Sequence, residues 1–252
     1  MSSAQEIMME FSGKIGKSLV ETIGQAPDQS LNRAAPIEFR LRVLNNPILS
    51  YLDFFVLGVA MAALQQGVLL SVGASMTNEN FEEFRGTKPM VMLLGKLAPY
   101  WLGGLLSYML ALLIAIQGFG IPCRGSLISL IIIGAAFLIA VAVMGSLMAL
   151  ICKDEVGFTQ LSLSYTVPAF IYSGYTWPLH AMGSFSTALA SLFPITYAAS
   201  NIRDLMLAGY APLVYYSIFT LLAAGIFLFA IALKLYSRKI TPRINQNQAV
   251  SM

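Results

Sequence analysis

The chain has 252 residues, of which 57% are hydrophobic and only 11% charged, and its formal net charge is +3. Soluble domains carry roughly 25% charged residues, and the charges here are unevenly spread. Five long stretches contain no Asp, Glu, Lys or Arg, namely residues 54–78, 97–123, 125–152, 156–202 and 205–233. This pattern excludes a water-soluble globule and predicts an all-α polytopic membrane protein.

The same composition excludes other classes of protein. The net charge is small and no basic cluster occurs, so nucleic-acid binding is not expected. Cys123 and Cys152 lack the spacing of zinc ligands and His180 is the single histidine, so no metal, cofactor or catalytic centre is predicted. No GxxxxGK[ST] phosphate-binding loop occurs, so the chain is not predicted to be an enzyme that hydrolyses ATP itself.

Residues 1–47 contain neither a span nor a signal peptide, because the basic start and apolar core of a signal are missing. Within them, apolar residues recur every four positions, which predicts an amphipathic helix: Ile7, Phe11, Ile15, Leu19 and Ile23. That helix could pack on its own domain or lie on a lipid surface. A turn or linker is expected after it, at residues 26–30.

A helix needs about 20 apolar residues to cross the hydrocarbon layer. Five segments meet this length and are predicted to be spans: 48–73, 90–119, 127–151, 158–177 and 212–235. Prolines and glycines interrupt the longest uncharged stretch, so residues 185–207 are predicted to form an outer re-entrant helical segment that returns to the side it entered from. The transmembrane domain is then expected at 48–240, followed by a polar tail at 241–252.

Positive charge predicts the orientation, because Lys and Arg are enriched in cytoplasmic connections. One set of connections contains most of these residues: Arg85, Lys88, Lys96, Lys153, Lys234, Arg238, Lys239 and Arg243. The opposite short connections contain only Arg124 and Arg203. We therefore expect the C-terminus to be cytoplasmic, and five spans then put residues 1–47 outside the cytoplasm.

Two regions of the sequence contain distinctive motifs. The first reads Ser-Gly-Tyr-Thr-Trp-Pro-Leu at 173–179, then Pro-Ile-Thr-Tyr at 194–197, and then Arg203 before Gly209. The second reads Glu-Glu-Phe-Arg-Gly-Thr at 82–87, followed by Gly-Lys at 95–96. Together and in this order, the two regions resemble the permease subunit of ABC-2 type exporters. Permeases of that family with this layout usually have six spans. The resemblance therefore implies either a fragment that lacks the usual first span or a divergent five-span form.

The resemblance also implies a location, a function and partners. The implied location is a bacterial plasma (inner) membrane, with residues 1–47 as an extracytoplasmic remnant of the domain that follows the usual first span. Such a permease forms a dimeric pathway, with a second permease copy or a paralogue, and is powered by a separate ABC ATP-binding subunit. Membrane lipid and a periplasmic adaptor are further expected partners. One alternative is a membrane anchoring or assembly protein without transport activity. Another is an intramembrane enzyme, which is disfavoured because the predicted spans contain almost no titratable groups.

Three groups of residues are candidates for the work of such a permease. Charges and aromatic side chains in the first cytoplasmic loop are predicted to dock on the ATPase: Phe81, Glu82, Glu83, Phe84, Arg85, Gly86 and Lys88. Polar side chains within spans, which tend to face the bundle interior, are predicted to line the pathway: Gln65, Gln66, Gln160 and Tyr165. The re-entrant region is predicted to form an outer gate: Ser173, Gly174, Trp177, Pro178, Pro194, Tyr197 and Arg203.

Each group has a simpler explanation that the sequence leaves open. A short cytosolic loop is commonly charged, and its Phe residues could dip into the membrane interface. Polar residues within spans often make hydrogen bonds between helices, worth about 0.6–2 kcal/mol. Aromatic residues near the re-entrant segment could form a belt that fixes the depth of the protein in the membrane.

Overall fold

The computed structural model describes residues 51–77, 79 and 87–240. The amphipathic helix predicted within 1–47, loop residues 80–86 and the tail 241–252 lie outside the described residues. Seven α-helices follow one another in the described part: α1 Tyr51–Thr77, α2 Pro89–Leu113, α3 Leu127–Ile151, α4 Glu155–Tyr172, α5 Ser184–Ala190, α6 Pro194–Leu207 and α7 Val214–Ile240. A π-helical turn, Ile114–Gly118, extends α2, and a 3-10 turn, Leu179–Ala181, precedes α5.

Four of these helices, α1, α2, α3 and α7, are long and apolar enough to cross a membrane, and the described residues contain no strand. The predicted class, an all-α polytopic membrane protein, is therefore confirmed. The predicted span at 158–177 forms α4, which has 18 residues and ends at Tyr172. Helix α4 is not among the four, since hydroxyl and amide side chains from Thr159 to Thr166 lower its hydropathy.

Helix α3 lies at the centre of the bundle and packs against α1, α2, α6 and α7. It is buried on nearly every side because small residues let its neighbours approach closely, as helices in lipid require. A Cβ atom at Gly134 would overlap the ring of Tyr108, whose hydroxyl donates to the carbonyl of Leu130 at 2.9 Å. A Cβ at Gly145 would meet Leu69 at 3.2 Å. Helix α3 thus sets the positions of the other spans.

The outer faces of α2 and α7 carry large apolar side chains that no described residue covers. Leu106 on α2 and Phe219 on α7 are each 72% exposed. Such faces would favour aggregation in water, but they suit contact with lipid or with another membrane subunit.

The segment predicted to be re-entrant, 185–207, forms two helices rather than one. Helices α5 and α6 are separated by residues 191–193, and Pro194 starts α6 at a position where its missing N–H is not needed. The hydroxyl of Thr196 donates to the carbonyl of Ala190 at 2.7 Å and ties the two helices together. Neither helix has the length of a span.

Candidate functional site

The bundle has two chemically different ends. One end, called the basic end here, holds the connection between α1 and α2, the start of α4 and the last turns of α7. Lys88, Lys153, Lys234 and Arg238 are exposed there. The other end, called the re-entrant end, holds the connection between α2 and α3 together with α5 and α6.

Both cations of the re-entrant end are engaged with the fold. The backbone N–H of Arg124 donates to the carbonyl of Met206 at 3.0 Å, and its guanidinium donates to the carbonyl of Leu207 at 3.1 Å. These carbonyls belong to the last turn of α6, where a helix leaves acceptors unpaired and favours a positive charge. Arg203 pairs with Asp204 at 3.0 Å. Arg203 is thus paired with an acidic neighbour, whereas Arg124 keeps its positive charge and caps α6.

Helices α1 and α4 meet along a seam that contains polar side chains. The ring of Phe158 packs where a Cβ at Gly73 would lie, and the ring of Tyr175 packs where a Cβ at Gly58 would lie. Between these contacts, the amide of Gln66 donates to the hydroxyl of Ser162 at 3.0 Å. Of the predicted pathway residues, Gln66 is thus fixed to α4 by a hydrogen bond.

The other predicted pathway residues are not equivalent to one another. Gln65 is fully buried, and neither atom of its amide has a hydrogen-bond partner among the described residues. The hydroxyl of Tyr165 is also buried without a partner in the described part of the chain, and its ring packs edge-on against Phe193 at 5.3 Å. Gln160 is exposed and lines a surface groove beside Glu155. The structure therefore separates Gln160 from the buried members of the group.

The predicted outer gate residues fall into two groups. The first surrounds Tyr175, which is 1% exposed. The hydroxyl of Ser173 accepts from the backbone N–H of Tyr175 at 3.2 Å, and Gly174 turns the chain with a φ of 78°. The guanidinium of Arg203 lies 5.2 Å from the centre of the Tyr175 ring, close enough for a cation–π contact. Ser173, Gly174 and Arg203 thus belong to one packed joint.

The second group lies around α5 and the start of α6. Trp177 is 60% exposed and Pro178 is also exposed, whereas Pro194 is buried. The hydroxyl of Tyr197 donates to the carbonyl of Ser191 at 3.0 Å. Trp177 and Pro178 therefore sit on the surface of the re-entrant end, as interfacial residues do.

Most of the predicted ATPase-docking residues, Phe81 to Gly86, lie outside the described residues. Lys88 is described, and it is the exposed residue that precedes α2. Glu79, close to the end of α1, lies 2.8 Å from the ammonium of Lys96 on α2. The hydroxyl of Tyr236 on α7 donates to the same oxygen of Glu79 at 3.0 Å. Three elements of the basic end therefore meet at one buried carboxylate.

Sequence reasoning did not single out Tyr175 or Tyr236 as site residues, and it counted Glu79 among the charges of the first cytoplasmic loop without assigning it a partner. The signal for Tyr175 was a glycine in the middle of a span, Gly58, which leaves room for an aromatic ring. Glu79 is the first charge after one long uncharged stretch, and Lys96 is the last charge before the next. Two charges in those positions are expected at the same membrane edge, so their pairing could have been predicted. The contact of Glu79 with Tyr236 could not, because the two residues are 157 positions apart in the sequence.

Comparison with known proteins finds similarity to one transporter family and to individual transporter proteins. The sequence profile of a family described as "ABC-2 family transporter protein" matches residues 1–234. The chain is 32% identical over 124 residues to the probable multidrug ABC transporter permease YbhS of Escherichia coli strain K12, covering 49% of the chain and 33% of that protein. It is 31% identical over 98 residues to ABC transporter G family member 20 of Dictyostelium discoideum, covering 39% of the chain and 13% of that protein. The matched region thus covers about a third or less of each relative. No solved structure is significantly similar to the chain.

Proposed function

Because the chain belongs to the ABC-2 transporter family, we propose that it is the permease subunit of an ATP-driven exporter and that a separate ATP-binding subunit powers it. The observation that carries the proposal is the match of the family profile to residues 1–234. The name of the E. coli relative, a probable ABC transporter permease, supports the same role. The permease functions as a dimer, with a second copy or a paralogue, and resides in a bacterial inner membrane.

The ATPase docks on the α1–α2 connection, residues 78–88, at the basic end. The support is chemical: Glu82, Glu83 and Arg85 provide charges that orient a partner, and Phe81 and Phe84 provide apolar contacts. Buried aromatic and arginine side chains are the commonest energetic centres of protein interfaces.

Charge reversal tests the docking site. The triple variant Glu82→Lys, Glu83→Lys, Arg85→Glu is expected to abolish co-purification with the ATPase, because charges of the same sign then face each other across the interface. The matched control is Lys153→Glu, which changes an exposed charge at the same end of the bundle. A triple variant that still forms an intact complex and still stimulates ATP hydrolysis would show that this loop does not couple the subunits.

The solute passes along the α1–α4 seam. Gln66 and Tyr165 supply polar groups there, and Gln65 becomes available when α1 shifts, because its amide is buried and has no partner at present. An apolar surface that carries a small number of polar side chains suits a large amphipathic solute. The probable multidrug function in the name of the E. coli relative supports the same class of solute.

The re-entrant segment closes the outer end of this path. Its support is the joint in which Ser173 and Gly174 hold Tyr175 against α1 while Arg203 of α6 stacks on the Tyr175 ring. Helix α6 therefore cannot move relative to α1 without breaking the contact between Arg203 and the Tyr175 ring.

The two cysteines test the orientation. Cys123 lies at the re-entrant end and Cys152 at the basic end, and both are partly exposed. In intact cells, a membrane-impermeant maleimide is expected to label Cys123 but not Cys152, because the basic end is cytoplasmic. The variants Cys152→Ser and Cys123→Ser each leave a single thiol whose labelling can be measured. Labelling of Cys152 but not of Cys123 would show that the orientation is the opposite of the one proposed.

The pH of this labelling matters. Burial raises the pKa of the Cys123 thiol, and burial together with the nearby charge of Asp154 raises the pKa of the Cys152 thiol. The thiolate is the reactive form, so both labelling rates rise about tenfold per pH unit below those pKa values. We therefore expect each cysteine to be labelled faster at pH 8 than at pH 7 when the reagent is on the side of the membrane that this cysteine faces.

A further inference from the structure

We infer that Glu79, Lys96 and Tyr236 form a clamp that passes movement of the α1–α2 connection to the distant helix α7. The inference rests on the proposed docking of the ATPase at that connection. It assigns Glu79 and its two partners as positioning residues, which act through the helices they join rather than by touching solute or ATP.

The geometry places one carboxylate between three helices. The Glu79 side chain is 2% exposed, and its Oε1 atom lies 2.8 Å from the Lys96 ammonium of α2. The same atom accepts the Tyr236 hydroxyl of α7 at 3.0 Å. Its second oxygen, Oε2, is buried and has no hydrogen-bond partner among the residues that the structure describes. Lys96 is therefore the residue that compensates the buried charge in the described part of the chain.

Lys96 also completes the end of α1. Its ammonium donates to the carbonyl of Ser75 at 3.1 Å, within the last turn of that helix. A helix leaves its last carbonyls unpaired, and a positive charge there is stabilised by the helix dipole. One ammonium thus holds both the last turn of α1 and the carboxylate that follows it, so α1 and α2 cannot separate at this end without exposing two unpaired groups.

Tyr236 extends the linkage to α7. Its ring is fully buried, although the surrounding residues Lys234, Arg238 and Lys239 are exposed. A buried ring that places its hydroxyl on a buried carboxylate is held by both packing and hydrogen bonding. A displacement of Glu79 is therefore transmitted to the last turns of α7, which packs along the central helix α3.

The test compares variants of the full-length permease purified with its ATPase. Lys96→Met is expected to lower permease-stimulated ATP hydrolysis about fivefold or more, the usual size of coupling between sites, while the complex remains intact. Lys96→Arg keeps the charge and is expected to retain most of the stimulation. Lys153→Met, which removes an exposed charge at the same end, is the matched control and should leave the rate unchanged.

A milder variant separates transmission from simple stability. Tyr236→Phe removes only the hydroxyl, and we expect amide hydrogen exchange in the last turns of α7 to rise about fivefold, the effect of losing one hydrogen bond. Tyr215→Phe, on the exposed face at the other end of α7, is its control. This measurement is made on the permease alone, so it judges the clamp even if no ATPase binds.

The outcomes are distinguishable. Unchanged stimulation in Lys96→Met, together with unchanged exchange in Tyr236→Phe, would overturn the clamp while leaving the proposed function intact. Failure of the unmodified permease to bind any ATPase would overturn the proposed function, and the exchange data would then still decide whether the three helices are linked. Loss of stimulation with an intact complex and raised exchange in α7 is the result expected of the clamp.

Discussion

Replacing Gly125 with alanine is expected to lower the melting temperature of the permease by about 5 °C, because the added methyl group would overlap backbone atoms of α6. A Cβ at this position would lie 2.5 Å from the carbonyl oxygen of Leu205 and 3.3 Å from that of Gly209. A backbone carbonyl cannot rotate away as a side chain does. The helix end or the α2–α3 connection must therefore move.

The size of the effect follows from what that movement disturbs. Arg124, the neighbour of Gly125, satisfies the carbonyls of Met206 and Leu207, so a shift also breaks the cap of α6. The matched control is Gly183→Ala, because no other atom lies within 4 Å of the position of its Cβ. Thermal unfolding of both variants in the same detergent gives the comparison. Equal melting temperatures for Gly125→Ala, Gly183→Ala and the unmodified protein would contradict the close packing of the α2–α3 connection against α6.

Replacing Gln65 with methionine is expected to stabilise the permease by about 1–3 kcal/mol, because it removes a buried amide that has no partner. Gln65 is fully buried, and its Oε1 and Nε2 make no hydrogen bond to any described residue. Methionine has nearly the same length and fills irregular spaces well. The melting temperature should therefore rise, which is a rare result for a substitution at a buried position.

The adjacent residue provides the control. Gln66 donates to Ser162 on α4, so Gln66→Met is expected to destabilise the protein by about 0.6–1 kcal/mol, the value of a hydrogen bond between helices in a membrane. If both substitutions destabilise to the same degree, Gln65 has a partner that the structure does not display. Under the proposed pathway, Gln65→Met should also reduce transport-coupled ATP hydrolysis, since an amide retained at a cost in stability is expected to serve function.

Sequence patterns predicted the long helices well because the membrane imposes a simple rule. A span must be long, apolar and free of unpaired charge, so Leu127–Ile151 could be located from its uncharged stretch alone, and α3 occupies the same residues. The end of α4 was harder to place. Hydropathy continues through Trp177, but Gly174 adopts a left-handed φ of 78° and turns the chain after Tyr172.

Contacts between distant parts of the chain could not be predicted from local patterns. Arg124 looked like an unexplained positive charge on the outer side, and only the packing of α6 against the α2–α3 connection reveals it as a cap for carbonyls more than 80 residues away. The pairing of Glu79 with Tyr236 depends likewise on how α7 packs against the bundle. Composition identifies the residues that need partners, whereas the tertiary arrangement decides which partners they obtain.

The most direct test of the proposed function is the ATP hydrolysis rate of the complex isolated with the full-length permease from its native membrane. We predict that an ATPase with a phosphate-binding loop co-purifies and that its hydrolysis rate rises when the permease is bound. Stable partners that include no ATPase would contradict the proposed function. That result would instead favour a membrane anchoring or assembly protein without transport activity.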